Sequence, residues 1–194
     1  MWISKILFTN NGNKKLFENL KQNDINIFIG APSSGKTKLT RGMAHAWQNC
    51  INNIHTEDCV KIEIRHLNLT LGVPDPANAK KIKEIFVTEN NDVSCGILYY
   101  PVERIVLPHE KNTEKMSTSA KCFYKIKSDF DAHSIKNSIV IIDDFDLKID
   151  KKQIEDFING YATKILKNDN QIIITCCSEE TTEHISIPYR KYII

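Results

Sequence analysis

Glycine is scarce in this chain, seven among 194 residues, and long apolar runs are missing altogether. No stretch approaches the roughly 18 apolar residues of a membrane-spanning helix, and the opening "MWISKILFTNN" is too short and too polar for a secretory signal. The expectation is a cytoplasmic protein with no membrane attachment. The six cysteines contain no Cys-x-x-Cys pair, so zinc ribbons and thioredoxin-type redox chemistry lack their spacing. Cysteines scattered without a framework suit a reducing compartment. Charge of one sign is missing too. A formal net charge of +2 provides no overall field to attract nucleic acid. The local clusters Lys14–Lys15, Lys80–Lys81–Lys83 and Lys148–Lys151–Lys152 read as solvated faces. Heptads and internal repeats are absent, which excludes a coiled coil or a solenoid.

What remains is an ordinary globular composition, 41% hydrophobic and 26% charged, long enough for one domain spanning 1–194. The apolar pattern alternates between two periods. "WISKILF" (2–8), "INIFIG" (25–30), "CVKIEIRHLNL" (59–69), "SCGILYYPV" (94–102), "SIVIIDD" (138–144) and "QIIITCC" (171–177) read as strands, "NGNKK" as a turn after the first of them, and "ISIPYRKYII" as strand-like material at the close. Helical spacing appears at 35–51, 75–87, 119–135 and 151–166, the last with Ile154, Phe157, Ile158, Tyr161 and Ile165 on one stripe. The segment 107–120 reads as polar and irregular. Strands alternating with helices predict an α/β fold with a mostly parallel sheet covered on both faces. Trp47 and the pair Tyr99–Tyr100 read as core, and Arg104 either as a phosphate contact or as a surface salt bridge.

"GAPSSGKT" stands between the apolar run "INIFI" and a helical pattern. The spacing Gly30-x4-Gly35-Lys36-Thr37 satisfies the Walker A pattern in full, in the strand–loop–helix context that the chemistry needs. Glycine lets the backbone bend until its N–H groups face phosphate oxygens, and the following helix adds its positive end. The expected binding residues are Gly30, Ala31, Pro32, Ser33, Ser34, Gly35, Lys36, Thr37 and Lys38. Lys36 would reach the β- and γ-phosphates of ATP, and the Thr37 hydroxyl would ligate Mg²⁺. "SIVIIDD" supplies the distant carboxylate: Asp143 for the metal at a strand's carboxyl end, where parallel sheets bind ligands, and Asp144 as the base that orients the attacking water.

A family resemblance rests on these motifs and their neighbours. "IIDDFDLKID" (141–150) aligns without a gap on the ABC-type Walker B and D-loop form "LLDEPTSALD", which puts Asp143 on the metal aspartate, Asp144 on the catalytic glutamate and Asp150 on the D-loop aspartate. "MSTSAK" (116–121) stands where the "LSGGQ" signature belongs, Thr175–Cys176 stand where the switch histidine belongs, and "GILYYPVER" (96–104) looks like the "vvYipaER" strand of OLD-like ATPases. The chain resembles the head domains of RecF, SMC and OLD-type P-loop ATPases, over most of its length.

The resemblance implies a P-loop three-layer sandwich with antiparallel strands added near the N-terminus. It implies an ATPase that closes a homodimer, or a heteromeric ATPase or effector partner, around ATP. Such heads serve DNA repair, chromosome handling or mobile-element defence. Ser117, Ser119 and Asp150 are the implied trans contacts; Thr175 and Cys176 are the implied sensors. The departures are specific: the signature glycines are absent, cysteine replaces the switch histidine, and no glutamine occurs between Gln48 and Gln153 to serve as a Q-loop. Those departures leave a non-catalytic, nucleotide-gated scaffold as a second expectation. An AAA+ or packaging-type motor is a third, with Thr175 as its sensor; the seventeen residues after Cys177 are too few for its helical lid.

Overall fold

The computed structural model describes residues 2–52, 60–66, 69–72, 96–101, 118–132, 135–146, 151–183 and 185–194. The predicted helix at 75–87, the irregular stretch up to residue 117, Arg104, Ser117 and Asp150 lie outside the described residues.

Five parallel strands make the centre of the molecule: β3 (Ile25–Ile29), β6 (Ile97–Pro101), β7 (Ile139–Asp143), β8 (Gln171–Cys176) and β9 (Tyr189–Ile193), in the spatial order β6-β7-β8-β3-β9. Parallel strands need crossovers, and buried ones need both faces covered, which is why β3, β7 and β8 are mostly apolar and buried along their whole length. Their alternate side chains feed two cores. Phe28, Ile139, Ile141 and Ile173 pack against Leu39, Met43, Ala46 and Trp47 of α1 (Lys36–Asn52). Ile27, Val140, Ile142, Ile172 and Ile174 pack on the other face against Ile126 of α2 (Thr118–Ala132) and against Ile154, Phe157, Ile158 and Ile165 of α3. Helix α3 runs through Lys151–Glu155, a π-wound stretch Asp156–Ala162 and Thr163–Leu166. The wider π winding brings Ala162 into the core beside the predicted stripe and leaves Tyr161 at its margin.

The added antiparallel strands form a sheet of their own, in the order β2-β1-β4-β5: β1 (Trp2–Asn10), β2 (Asn13–Phe17), β4 (Val60–His66) and β5 (Leu69–Gly72). The stretch expected as a turn, 11–15, is a hairpin. Asn11 and Gly12 both take positive φ, +49° and +79°, the two-residue geometry that matches strand twist, so Lys14 and Lys15 belong to β2. The strand expected at 59–69 belongs to this sheet and not to the parallel one. One buried side chain docks the two sheets. The Gln171 amide accepts from Ile3 N–H and donates to the carbonyls of Ile3 and Lys21, extending the β1 edge onto the start of β8. No helix among the described residues is long and apolar enough to cross a membrane.

Candidate functional site

The carboxyl ends of β3, β7 and β8 meet the start of α1 at one cavity of about 310 Å³. Its walls are Pro32, Ser33, Gly35, Lys36, Thr37 and Lys38 from the glycine loop, Asp144 from the end of β7 and Cys177 from the end of β8. The sequence places Lys36 and Asp144 more than a hundred residues apart; the sheet order puts them in one hollow, with β8 interposed between the loop strand and the carboxylate strand.

Two glycines are required by the loop itself. A Cβ at Gly30 would lie 2.3 Å from Ser34 Oγ and 3.2 Å from Ile194 Cβ, so a side chain there would turn the Ser34 hydroxyl aside and press on Ile194. Gly35 takes φ +104° and packs against Phe8 and Asn10, where a Cβ would meet Asn10 Nδ2 at 2.8 Å. Asn10 ties the loop to the antiparallel sheet: its amide donates to the Ser34 carbonyl at 3.1 Å, and its oxygen accepts from Lys38 Nζ at 3.4 Å. Ser33 takes φ +66° at the exposed apex. The Ser34 hydroxyl is buried without a hydrogen-bond partner among the described residues.

Lys36 is 5% exposed, and a buried ammonium needs partners. It donates to the carbonyls of Gly30 at 2.8 Å and Ala31 at 3.1 Å, and the Asp144 carboxylate stands 3.8 Å away. Asp144 reaches that position because its backbone turns at φ +50° directly after β7, with its N–H held by Thr175 Oγ1 at 2.8 Å. Thr175 is the joint of the site. Its hydroxyl donates to Asp143 Oδ1 at 2.8 Å, and its carbonyl accepts from Phe145 N–H.

Asp143 is buried at 3% exposure, with its second oxygen accepting from the Tyr99 phenol at 3.2 Å. Burial and then the Asp143 charge push the Tyr99 phenol above its ordinary range, which keeps it a donor. Tyr99 packs against the first core, as the reading of it as core expects, and in addition its hydroxyl reaches Asp143. Tyr100 fits that reading, buried at 5% on the other side of the strand with its hydroxyl on Asp129. Strand alternation carries the signal: of two adjacent tyrosines only one can face the second core.

Cys176 does not reach the cavity. Its side chain is fully buried in the core under α3, where burial pushes its thiol well up, and Cys177 lines the hollow in its place. Ser119 lies in α2, away from the glycine loop in the chain and among residues whose side chains are not described. A residue that sequence reasoning missed is Asp146. Its carboxylate accepts from the N–H groups of Cys177 and Ser178 and from Thr181 Oγ1, and so holds the turn that delivers Cys177. "DDFD" carried no hint of it, because its three partners come from the turn and short helix after β8, more than thirty residues later.

The chain matches no protein-family model and no curated protein. The site therefore stands on its own geometry. Its donor set can be weighed against a metal. Among the described residues no group of three or more His, Cys, Asp or Glu converges. Thr37 and Asp143 offer a hydroxyl and one carboxylate, too few for zinc or calcium. Mg²⁺ differs: it keeps several waters and fills the rest of its shell with phosphate oxygens.

Proposed function

We propose that the chain binds ATP with Mg²⁺ through Gly30–Thr37 and hydrolyses it slowly to ADP and phosphate. One observation carries the reading: a buried lysine inside a glycine-bracketed loop shares a small cavity, at the carboxyl ends of parallel strands, with a carboxylate from a different strand. Lys36 would exchange its carbonyl and carboxylate partners for β- and γ-phosphate oxygens. Thr37 and Asp143 would hold the metal, Asp143 through water. When bound, Mg²⁺ would neutralise charge on the same oxygens. Asp144, released from Lys36, would orient the water that attacks the γ-phosphorus as the bond to the β–γ bridging oxygen breaks.

In the ABC-like scheme, hydrolysis would couple to closure of a second copy or a partner ATPase on the open side of the cavity, through Ser117, Ser119 and Asp150. A DNA-repair, chromosome or defence role belongs to the same proposal. A nucleotide-gated scaffold without turnover is favoured by one observation: Cys176, at the position of the resembled family's switch histidine, is sealed in the core, and Cys177, just past the end of β8, lines the cavity instead.

Calorimetry of Mg·ATP binding tests the first claim. Lys36→Ala is expected to weaken affinity at least about tenfold, since it removes the only loop cation aimed at the inner phosphates. Unchanged affinity refutes the assignment, and phosphate release by the wild type separates enzyme from scaffold.

A further inference from the structure

Asp143 is the carboxylate through which the proposed metal would be held, and both of its oxygens already have donors. Thr175 Oγ1 stands at 2.8 Å from Oδ1, and the Tyr99 phenol at 3.2 Å from Oδ2. The two donors come from opposite neighbours of β7, β8 on one side and β6 on the other, so the carboxylate is gripped across three adjacent strands. Tyr99 is in turn fixed from the other layer, because Thr40 and Arg41 of α1 lie beside its phenol. Thr40 is itself locked, its hydroxyl donating to the carbonyls of Lys36 and Thr37. A continuous chain of contacts therefore runs from the first turn of α1, through Tyr99 and Asp143, to Thr175 and the backbone of Asp144.

We infer that Tyr99 is a positioning residue for Asp143: its phenol fixes the plane of the carboxylate so that the lone pairs left over by the two donors face the metal's water. The inference rests on the nucleotide reading above. A carboxylate has about four lone-pair positions, and two donors on different oxygens leave one free on each. Without the phenol, Oδ2 has no donor among the described residues, and the carboxylate rotates about its bond to Cβ with Thr175 as its remaining hold there. The loss falls on metal capture and on the chemical step, because the phenol bonds Asp143 directly, whereas Lys36 and Thr37 connect to it through Thr40.

The experiment uses the full chain and its variants Tyr99→Phe, Tyr100→Phe and Asp143→Asn. ATP binding is titrated against Mg²⁺ by calorimetry. Tyr99→Phe, which keeps the ring, is expected to raise the Mg²⁺ midpoint about fivefold and to leave metal-free ATP affinity unchanged. It lowers kcat by a similar factor with KM unchanged at saturating Mg²⁺. Tyr100→Phe, which loses a hydroxyl on Asp129, leaves the midpoint where it was. In the Asp143→Asn background, Tyr99→Phe adds nothing further. A readout without nucleotide checks the contact itself: Asp143→Asn lowers the titration midpoint of the Tyr99 phenol, followed by carbon NMR of labelled tyrosine. An unmoved Mg²⁺ midpoint in a folded Tyr99→Phe variant, or additive effects with Asp143→Asn, overturns the inference alone. A wild type that binds no Mg·ATP overturns the nucleotide reading, and this inference with it.

Discussion

The cavity at the glycine loop holds about 310 Å³, less than half the roughly 680 Å³ of the groove between α2 and α3. The groove is floored by rings: Phe123 stacks on Phe157 with centroids 5.0 Å apart, Tyr161 lies beyond, and Lys164 sits 6.0 Å over the Tyr161 ring. Lys127, Asp131 and Asp156 stand at its edges, so its charges of both signs roughly cancel. Everything in it comes from two helices that pack side by side, and its size measures how loosely their outer faces meet. The smaller cavity draws two lysines, two hydroxyls, a carboxylate and a thiol from three different elements, around a loop closed by two tightly packed glycines. Convergence of unlike groups on rigid strand ends, and not volume, marks the place where chemistry can occur.

The sharpest way to break that contrast is at Asp144. Asp144→Asn keeps the shape and removes the charge, so Mg·ATP binding should persist while kcat falls at least about a hundredfold, as when a general base is lost. Single-turnover phosphate release measures it, and turnover at the wild-type rate would place the base elsewhere. The next effect is smaller and lies in the fold of the loop. Gly35→Ala forces a side chain into φ +104° and against Asn10, and should destabilise the protein by about 1–3 kcal/mol in denaturant titrations. The groove should answer to neither assay. Lys164→Ala, on the far face of the sheet from α1, is expected to leave Mg·ATP affinity within about twofold, since an exposed cation there has no path to phosphate. A larger change would join the two cavities into one site.

The smallest effect concerns pH. Burial, and then the Asp131 charge and its hydrogen bond, push the Tyr161 phenol up to about 12. A tyrosine raised in the native state holds its proton longer than in the unfolded chain. Its contribution is therefore complete below the ordinary tyrosine value of about 10 and is lost as pH rises from there through about 12. Tyrosinate absorbance should show late-titrating groups in the wild type, of which the one belonging to Tyr161 moves downward in Asp131→Asn. The phenol is largely solvent-facing, so the accompanying change in stability should be slight.

Much of the scaffold was legible in the residues. The apolar runs at 25–29, 139–143 and 171–176 are strands because isoleucine-rich segments that short can be buried only in a covered parallel sheet. The hairpin at Asn11–Gly12 is tighter than the turn that the sequence predicts over 11–15, because polar side chains at Asn13, Lys14 and Lys15 hide a strand that is mostly exposed. Local patterning cannot see an edge strand whose stability comes from pairing with β1.

The glycine loop, its lysine and the two aspartates were determined by the sequence alone, since spacing along ten residues and a strand's period fix such features without reference to the rest of the chain. Which groups surround them was decided only in three dimensions. The order β6-β7-β8-β3-β9 sets Thr175 between the loop strand and Asp143, brings Tyr99 to the carboxylate from the far side, and turns Cys176 inward while Cys177 faces the hollow. Each of those outcomes depends on a register between strands distant in sequence. A shift of one residue would exchange the face of every side chain, and only the packing of both cores against the sheet selects the register observed.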